Sequence, residues 1–330
     1  MRFTHVGVAA LAVAALTLTA CSGGSSSTGA ASDGGSADGA FPVTVSTEFG
    51  DVTVEKKPVR VVALGWGDAE TALALGVQPV GASDWLSFGG EGVGPWAEGL
   101  YDTPPEIIET LEPSYEAIAA LKPDLILDTK SSGDKDRYDK LSSIATTVGV
   151  PEGKTSYLTT MDEQMELIST ALGEKAKGEE LLAEVDTAFD DAAAAHPEWA
   201  GLTIAAATRT SEGWGAYIEG GSRVIYLERL GFTQSPTIAA LPSNSGGFSV
   251  DISSEQLDLL DSDLIVAFPI YIPTTDFTDD PLWNAIPAVA AGHSVVIDGD
   301  ISASYSLGST LAATYSVEKL VPLIEGALAK

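Results

Sequence analysis

Glu174-Lys-Ala-Lys-Gly-Glu-Glu-Leu-Leu-Ala-Glu-Val-Asp-Thr-Ala-Phe-Asp-Asp-Ala-Ala-Ala-Ala195 runs 22 residues without a proline. Leu181, Leu182, Val185, Ala188, Phe189 and Ala192 recur at helical spacing, with Glu and Asp between them. That is the apolar stripe of one long amphipathic helix. At 1.5 Å per residue it is about 33 Å long, roughly the width of a small lobe. Gly173 precedes it and His196-Pro197 ends it. Met161 to Leu172 reads as another helix, so residues 161–197 form a helical linker.

On either side the pattern is different. Arg60-Val-Val-Ala-Leu-Gly65 reads as a buried strand, with Asp68 capping a helix from Ala69 to Leu75. Val77–Ala82, Asp124–Asp128 and Thr147-Val148 read as further strands, separated by helices near Ser114–Leu121 and Tyr138–Ala145. After the linker, strands are predicted at Leu202–Ala207, Val224–Leu227, Asp263–Phe268 and Ser294–Ile297. A last helix spans about Ala312 to Leu328, with Pro322 as an expected kink or break. Strands alternating with helices imply parallel β-α units.

The two halves share a signature. Ser114-Tyr-Glu-Ala-Ile-Ala-Ala-Leu-Lys-Pro-Asp-Leu-Ile126 is matched 139 residues later by Ser253-Ser-Glu-Gln-Leu-Asp-Leu-Leu-Asp-Ser-Asp-Leu-Ile265. Both read S-x-E-x-[I/L]-x-x-L-x-x-D-L-I. Two lobes of similar build, 41–160 and 198–330, joined by the linker, imply a cleft between them, and such clefts hold ligands.

The N-terminus is of another kind. Arg2, an apolar run from Val6 to Leu18 and Leu18-Thr19-Ala20 lead to Cys21, the single cysteine. The run is too short to span a bilayer and reads as an export signal over residues 1–20. Leu-Thr-Ala-Cys resembles a bacterial lipobox, which implies lipidation of Cys21 and a protein held by its lipid on the outer face of the cell membrane. The Ser, Gly, Ala and Asp tract that follows is a flexible tether, residues 21–40.

With 47 acidic residues against 17 basic ones, the net charge is −30. Phosphate backbones demand the opposite sign, so nucleic acid is excluded as a partner. Three histidines, one inside the signal, exclude a His/Cys metal cluster, and no directly bound metal or cofactor is expected. His196 and His293 have structural settings, and no Gly-x-Ser-x-Gly elbow occurs. Gly65-Trp-Gly-Asp-Ala-Glu70 follows a strand as a dinucleotide loop does. It lacks the third glycine, and Asp68 would repel a pyrophosphate. Its glycines instead let Trp66 turn into a cleft. The aromatics Trp66, Trp85, Trp96, Trp214, Tyr217, Tyr271, Trp283 and Tyr305 fall mostly in loops after strands, where open α/β sheets bind ligands. Arg209 is placed either to meet an anionic ligand group or to pair with a nearby carboxylate such as Glu212.

These pieces together resemble a known family. They are Pro58–Leu64, Glu70 with Leu75-Gly-Val-Gln-Pro-Val-Gly81, Leu121-Lys-Pro-Asp-Leu-Ile-Leu127, Leu227-Glu-Arg-Leu-Gly-Phe232, Leu257–Ile265, and Pro281-Leu-Trp283 through Val295-Val-Ile297. In this order, with a lipobox ahead and one long helix between lobes, they resemble the substrate-binding lipoproteins of iron–siderophore, haem and cobalamin ABC importers. The resemblance covers residues 41–330. It implies two Rossmann-like lobes bridged by one rigid helix, a ligand held between them, a monomer, and no enzymatic activity. It also implies docking onto the permease of a permease–ATPase pair through one glutamate per lobe, here Glu70 and Glu228. Few basic residues face the cleft by sequence, chiefly Arg209 and Arg223, so a ferric hydroxamate siderophore is expected before a triscatecholate. Haem, with Tyr217, Tyr271 or Tyr305 as axial ligand, and cobalamin remain alternatives. An exported α/β hydrolase is the alternative of another class.

Overall fold

The computed structural model describes residues 39–154, 157–244 and 247–329. The expected signal, Cys21 and nearly all of the tether lie outside the described residues. An antiparallel hairpin, Val43–Thr47 with Gly50–Val54, leads into the first lobe.

The N-terminal lobe carries a five-stranded parallel sheet. Its spatial order is Glu106–Ile108, Gly81–Ser83, Val61–Ala63, Leu125–Leu127, Thr146–Val148. The strand order therefore reverses between Val61–Ala63 and Leu125–Leu127. That is a topological switch point, and the loops leaving these two strands frame a crevice.

The C-terminal lobe has a mixed sheet in the order Ser249–Ile252, Trp214–Tyr217, Thr203–Arg209, Leu264–Pro269, Ser294–Val296. Thr233-Gln234 pairs with the start of Thr203–Arg209. The two pairings made by Trp214–Tyr217 are antiparallel, and neither it nor Ser249–Ile252 is among the predicted strands. Val224–Leu227, predicted as a strand, lies inside a helix, Ser222–Arg229. Val224 and Leu227, three residues apart, both bury into the core, which is a helical and not an alternating pattern. The final helix, Thr310–Leu328, continues through Pro322. Pro322 and Glu318, whose carbonyl loses its partner, are both exposed, so water can satisfy that carbonyl.

The long helix is Lys175–Ala195. Its stripe is divided between the lobes. Leu181 packs with Val61, Leu125, Val148, Met165 and Ile168 in the N-terminal core. Val185 and Phe189, one and two turns further on, pack with Trp199, Ile204, Val266 and Ile324 in the C-terminal core. One rigid rod thus belongs to both cores.

The repeated signature has a repeated job. Asp124 accepts from the backbone N–H groups of Val59 (3.0 Å) and Arg60 (2.9 Å), at the entry of the neighbouring parallel strand. Asp263 accepts from Thr203 N and Thr203 Oγ1, both at 2.7 Å, at the entry of its own neighbour. Each aspartate ties the start of its strand to the next.

Candidate functional site

The loop Gly65–Gly67 leaves Val61–Ala63, and the loop Asp128–Ser131 leaves Leu125–Leu127. Trp66 N donates to Lys130 O at 2.9 Å, so the two loops hold one another. Asp68 is not a helix cap. Gly67 occupies the cap position in a left-handed conformation (φ 80°), and no side chain caps it. The Asp68 carboxylate instead turns back to accept from Gly65 N (2.9 Å), Thr129 N (3.0 Å), Thr129 Oγ1 (2.5 Å) and Gln164 Nε2 (2.6 Å). Burial pushes it up to about 6 against these bonds. Gln164 also donates to Trp66 O at 2.9 Å. A Cβ on Gly65 would lie 2.4 Å from Asp68 Oδ2 and 2.7 Å from Lys130 N, so only glycine closes this knot.

Trp66 emerges as the middle of a three-ring stack. Trp85 lies 4.1 Å away on one face and Tyr157 4.0 Å away on the other. The indole N–H groups of Trp66 and Trp85 are buried without a partner among the described residues, two donors facing no acceptor. Across the lobe boundary stand Tyr217, Phe248, Ser222, Arg223 and Ser306. Together with Trp66, Lys130 and Tyr157 they line a narrow gap of about 20 Å³, room for little more than one water-sized group. Ligand pockets run to about 300–1,000 Å³, so the gap as it stands is closed to a chelate. Tyr157 also lines a broad, open depression of about 630 Å³ around Tyr115, Arg137 and Lys140, so it stands between the two spaces. Tyr157 has a left-handed backbone (φ 63°), costly for a residue with a Cβ. A third hollow of about 160 Å³, beside Phe189 and Tyr226, abuts the long helix instead. The gap at Trp66 is the candidate site because the switch-point loops of one lobe and a helix start of the other converge there.

Several predicted site residues lie elsewhere. Trp214 and Trp283 stack with each other (5.6 Å) and meet Phe277 inside the C-terminal core, where their apolar area is worth more than in a loop. Tyr305 is fully buried; its hydroxyl donates to Arg223 O at 2.8 Å and props that residue from beneath. Tyr271 is 87% exposed and outside the gap. Arg209 leaves the cleft altogether: it pairs with Asp280 Oδ2 at 3.1 Å, donates to Asp276 O and lies over the Trp214 ring. The carboxylate partner is Asp280, not Glu212. Trp66 and Tyr217 line the gap, and Trp85 stacks behind Trp66.

Glu70 corrects the docking expectation. It is 2% exposed, and its carboxylate accepts from Gly94 N (3.2 Å), Trp96 Nε1 (2.7 Å) and Ser309 Oγ (2.5 Å). Burial pushes it up to about 7. A side chain so enclosed offers nothing to a partner's arginine. Glu228 is half-buried, and burial followed by the Glu219 charge raises its pKa.

Lys130, Tyr157 and Phe248 escaped the sequence reading, whereas Arg223, expected at the cleft, does line the gap. Lys130 had a signal: it lies three residues past the end of a strand, as Trp66 does in the adjacent strand's loop.

A model of periplasmic binding proteins matches residues 61–301. The chain belongs to that family. It is a solute-binding protein, not an enzyme. The periplasmic binding protein is 28% identical over 290 residues to the probable siderophore-binding lipoprotein YfiY of Bacillus subtilis (strain 168), covering 81% of this chain and 82% of YfiY. It is 25% identical to the Fe(3+)-citrate-binding protein YfmC of the same organism, over 78% of each chain. Among solved structures it matches PiaA of Streptococcus pneumoniae TIGR4 in complex with ferrichrome, with a TM-score of 0.74 and 26% identity, over 87% of this chain and 99% of PiaA.

Proposed function

We propose that this chain captures a ferric siderophore between its lobes outside the cytoplasmic membrane and delivers it to an ABC permease and its ATPase. The observation that carries this is the convergence on one gap of Trp66, Tyr157, Tyr217 and Phe248 with Lys130 and Arg223, contributed by both lobes. Flat rings suit the apolar skirt of a metal chelate, and cations suit the oxygens around the iron. Similarity to the siderophore-binding lipoprotein and to the ferrichrome-bound PiaA supports the hydroxamate class. A carboxylate chelate is the second reading. It is favoured by the exchange of Arg209 for the buried Lys130 as a cation at the site, and by the similarity to a ferric-citrate-binding protein.

A bulky chelate fits when the Tyr157 ring swings off Trp66 and the gap joins the adjoining depression. Lipidation of Cys21 fits the lipoprotein relatives and places the receptor on the outer membrane face as a tethered monomer. Docking falls to exposed carboxylates. Glu116 and Glu255, the shared glutamate of the repeated signature, are both exposed, one per lobe, and replace Glu70 in that role. Titration of tryptophan fluorescence with ferrichrome, ferrioxamine, ferric citrate, haem and cobalamin tests the reading. Saturable quenching by a ferric chelate is expected, and quenching by none of them would end it.

A further inference from the structure

Lys130 reaches into the lobe boundary and is 2% exposed there. Its Nζ donates to Ser222 Oγ at 2.9 Å. Ser222 opens the helix Ser222–Arg229, whose first turn has no side-chain cap. The positive end of that helix, the Lys130 ammonium and the Arg223 guanidinium therefore crowd together. Arg223 lies 4.1 Å over the Tyr217 ring, and its Nε donates to Ser306 Oγ at 3.3 Å. Among the described residues neither cation has an ion-pair partner. Asp68 acts on Lys130 only at a distance, because its oxygens already serve Gly65, Thr129 and Gln164. A buried ammonium held by a hydroxyl alone is costly, because a charge out of water needs an opposite charge or several acceptors. In a chain of net charge −30, this is a place that lacks a carboxylate it could easily have been given.

We propose that Lys130 reads the charge of the ligand. On binding, its ammonium leaves Ser222 for an oxyanion bound to the chelate's Fe(III), with Arg223 as the second cation, so that Ser222 holds the place of that oxygen. This rests on the siderophore reading above and deepens it. The shared ligand chemistry is a formally negative oxygen on ferric iron, supplied by a hydroxamate or by a carboxylate.

The proposal carries a pH signature. Burial first, and then the Arg223 charge, push Lys130 down to about 8, with Asp68 pulling the other way. The other groups facing the gap are the phenols of Tyr157 and Tyr217. Burial raises the Tyr157 phenol further above neutrality, and Asp68 titrates well below Lys130. An arriving oxyanion raises the Lys130 pKa again. Affinity is then full below about pH 8 and is lost as pH rises through 8 toward the higher value of the complex.

The test is tryptophan quenching by ferrichrome (a neutral trihydroxamate) and by ferric citrate, from pH 6.5 to 9.5, on the full chain and on K130M and S222A. Thermal melts verify that each variant is folded. K130M should bind at least tenfold more weakly at pH 7 and lose the fall above pH 8. Both proteins meet the same chelate, so changes in the chelate itself cancel. The chelate that suffers the larger loss identifies the source of the oxyanion. S222A should bind about three- to tenfold more tightly, the worth of one competing hydrogen bond. Wild-type protein that binds while K130M binds equally well overturns the role of Lys130 alone. A weakening in S222A as large as that in K130M makes the bridge structural and also overturns it. Wild-type protein that binds neither chelate overturns the siderophore reading together with this one.

Discussion

Ser309 Oγ donates to the Glu70 carboxylate over 2.5 Å, although 239 residues separate them. Glu70 stands on the first helix of the N-terminal lobe, Asp68–Ala74, and Ser309 caps the last helix, Thr310–Leu328. Trp96, which donates to the same carboxylate, also packs against Tyr315 of that last helix. The helices Asp68–Ala74 and Thr310–Leu328 are therefore braced through one buried acid.

That brace gives stability a pH dependence. Glu70 is near 4.5 when unfolded and about 7 when folded. The folded state holds the proton more tightly, so its stabilising effect is fully present below about pH 4.5 and is lost as pH rises through 7. Asp68, raised to about 6, acts in the same direction. The melting temperature should fall between pH 5 and pH 8. In E70Q that fall should shrink by the equivalent of about 3 kcal/mol at most. An equal fall in E70Q would acquit Glu70.

The two arginines should separate cleanly. Arg223 faces the gap, whereas Arg209 is spent on Asp280. R223A should weaken chelate binding by tenfold or more, and R209A should leave the affinity unchanged while lowering the melting temperature. Equal losses of affinity would place Arg209 at the ligand after all.

The tryptophans should divide in the same way. W66F should remove much of the chelate-induced quenching, because Trp66 lines the gap. W283F should retain it, since Trp283 is 1% exposed within the core. W283A should cost about 3–5 kcal/mol of stability in urea melts, as removal of a buried indole does. Quenching that survives in W66F and disappears in W283F would put the ligand in the wrong lobe.

Docking is checked in membranes. E116A and E255A should spare chelate affinity and together lower permease-dependent uptake several-fold, whereas single variants should lower it less. Unchanged uptake in the double variant would remove both carboxylates from the interface.

The long helix was readable because its stripe repeats at helical spacing, and its bounds move by a single residue at one end. The strands Val61–Ala63 and Leu264–Pro269 were readable as unbroken apolar runs. The helix Ser222–Arg229 was not, since Arg-Val-Ile-Tyr-Leu carries β-branched and aromatic residues that suit a strand until tertiary packing selects a helical face. Trp66 and Tyr217 were found from their places after strands. Trp214, Trp283 and Tyr305 share that kind of position in sequence, yet fold inward, because loop location does not fix the direction of a ring.

The order of apolar runs, the signature shared by the two halves and the period of the 22-residue helix fixed an α/β chain in two lobes, since each depends only on neighbours along the chain. Which charges meet was decided in three dimensions. Arg209 and Lys130 exchanged roles, and Glu70 moved from an expected surface to the interior, because burial and pairing depend on residues up to 239 positions away. Periodicity is a local property, but the field at a side chain is summed over everything the fold brings near it.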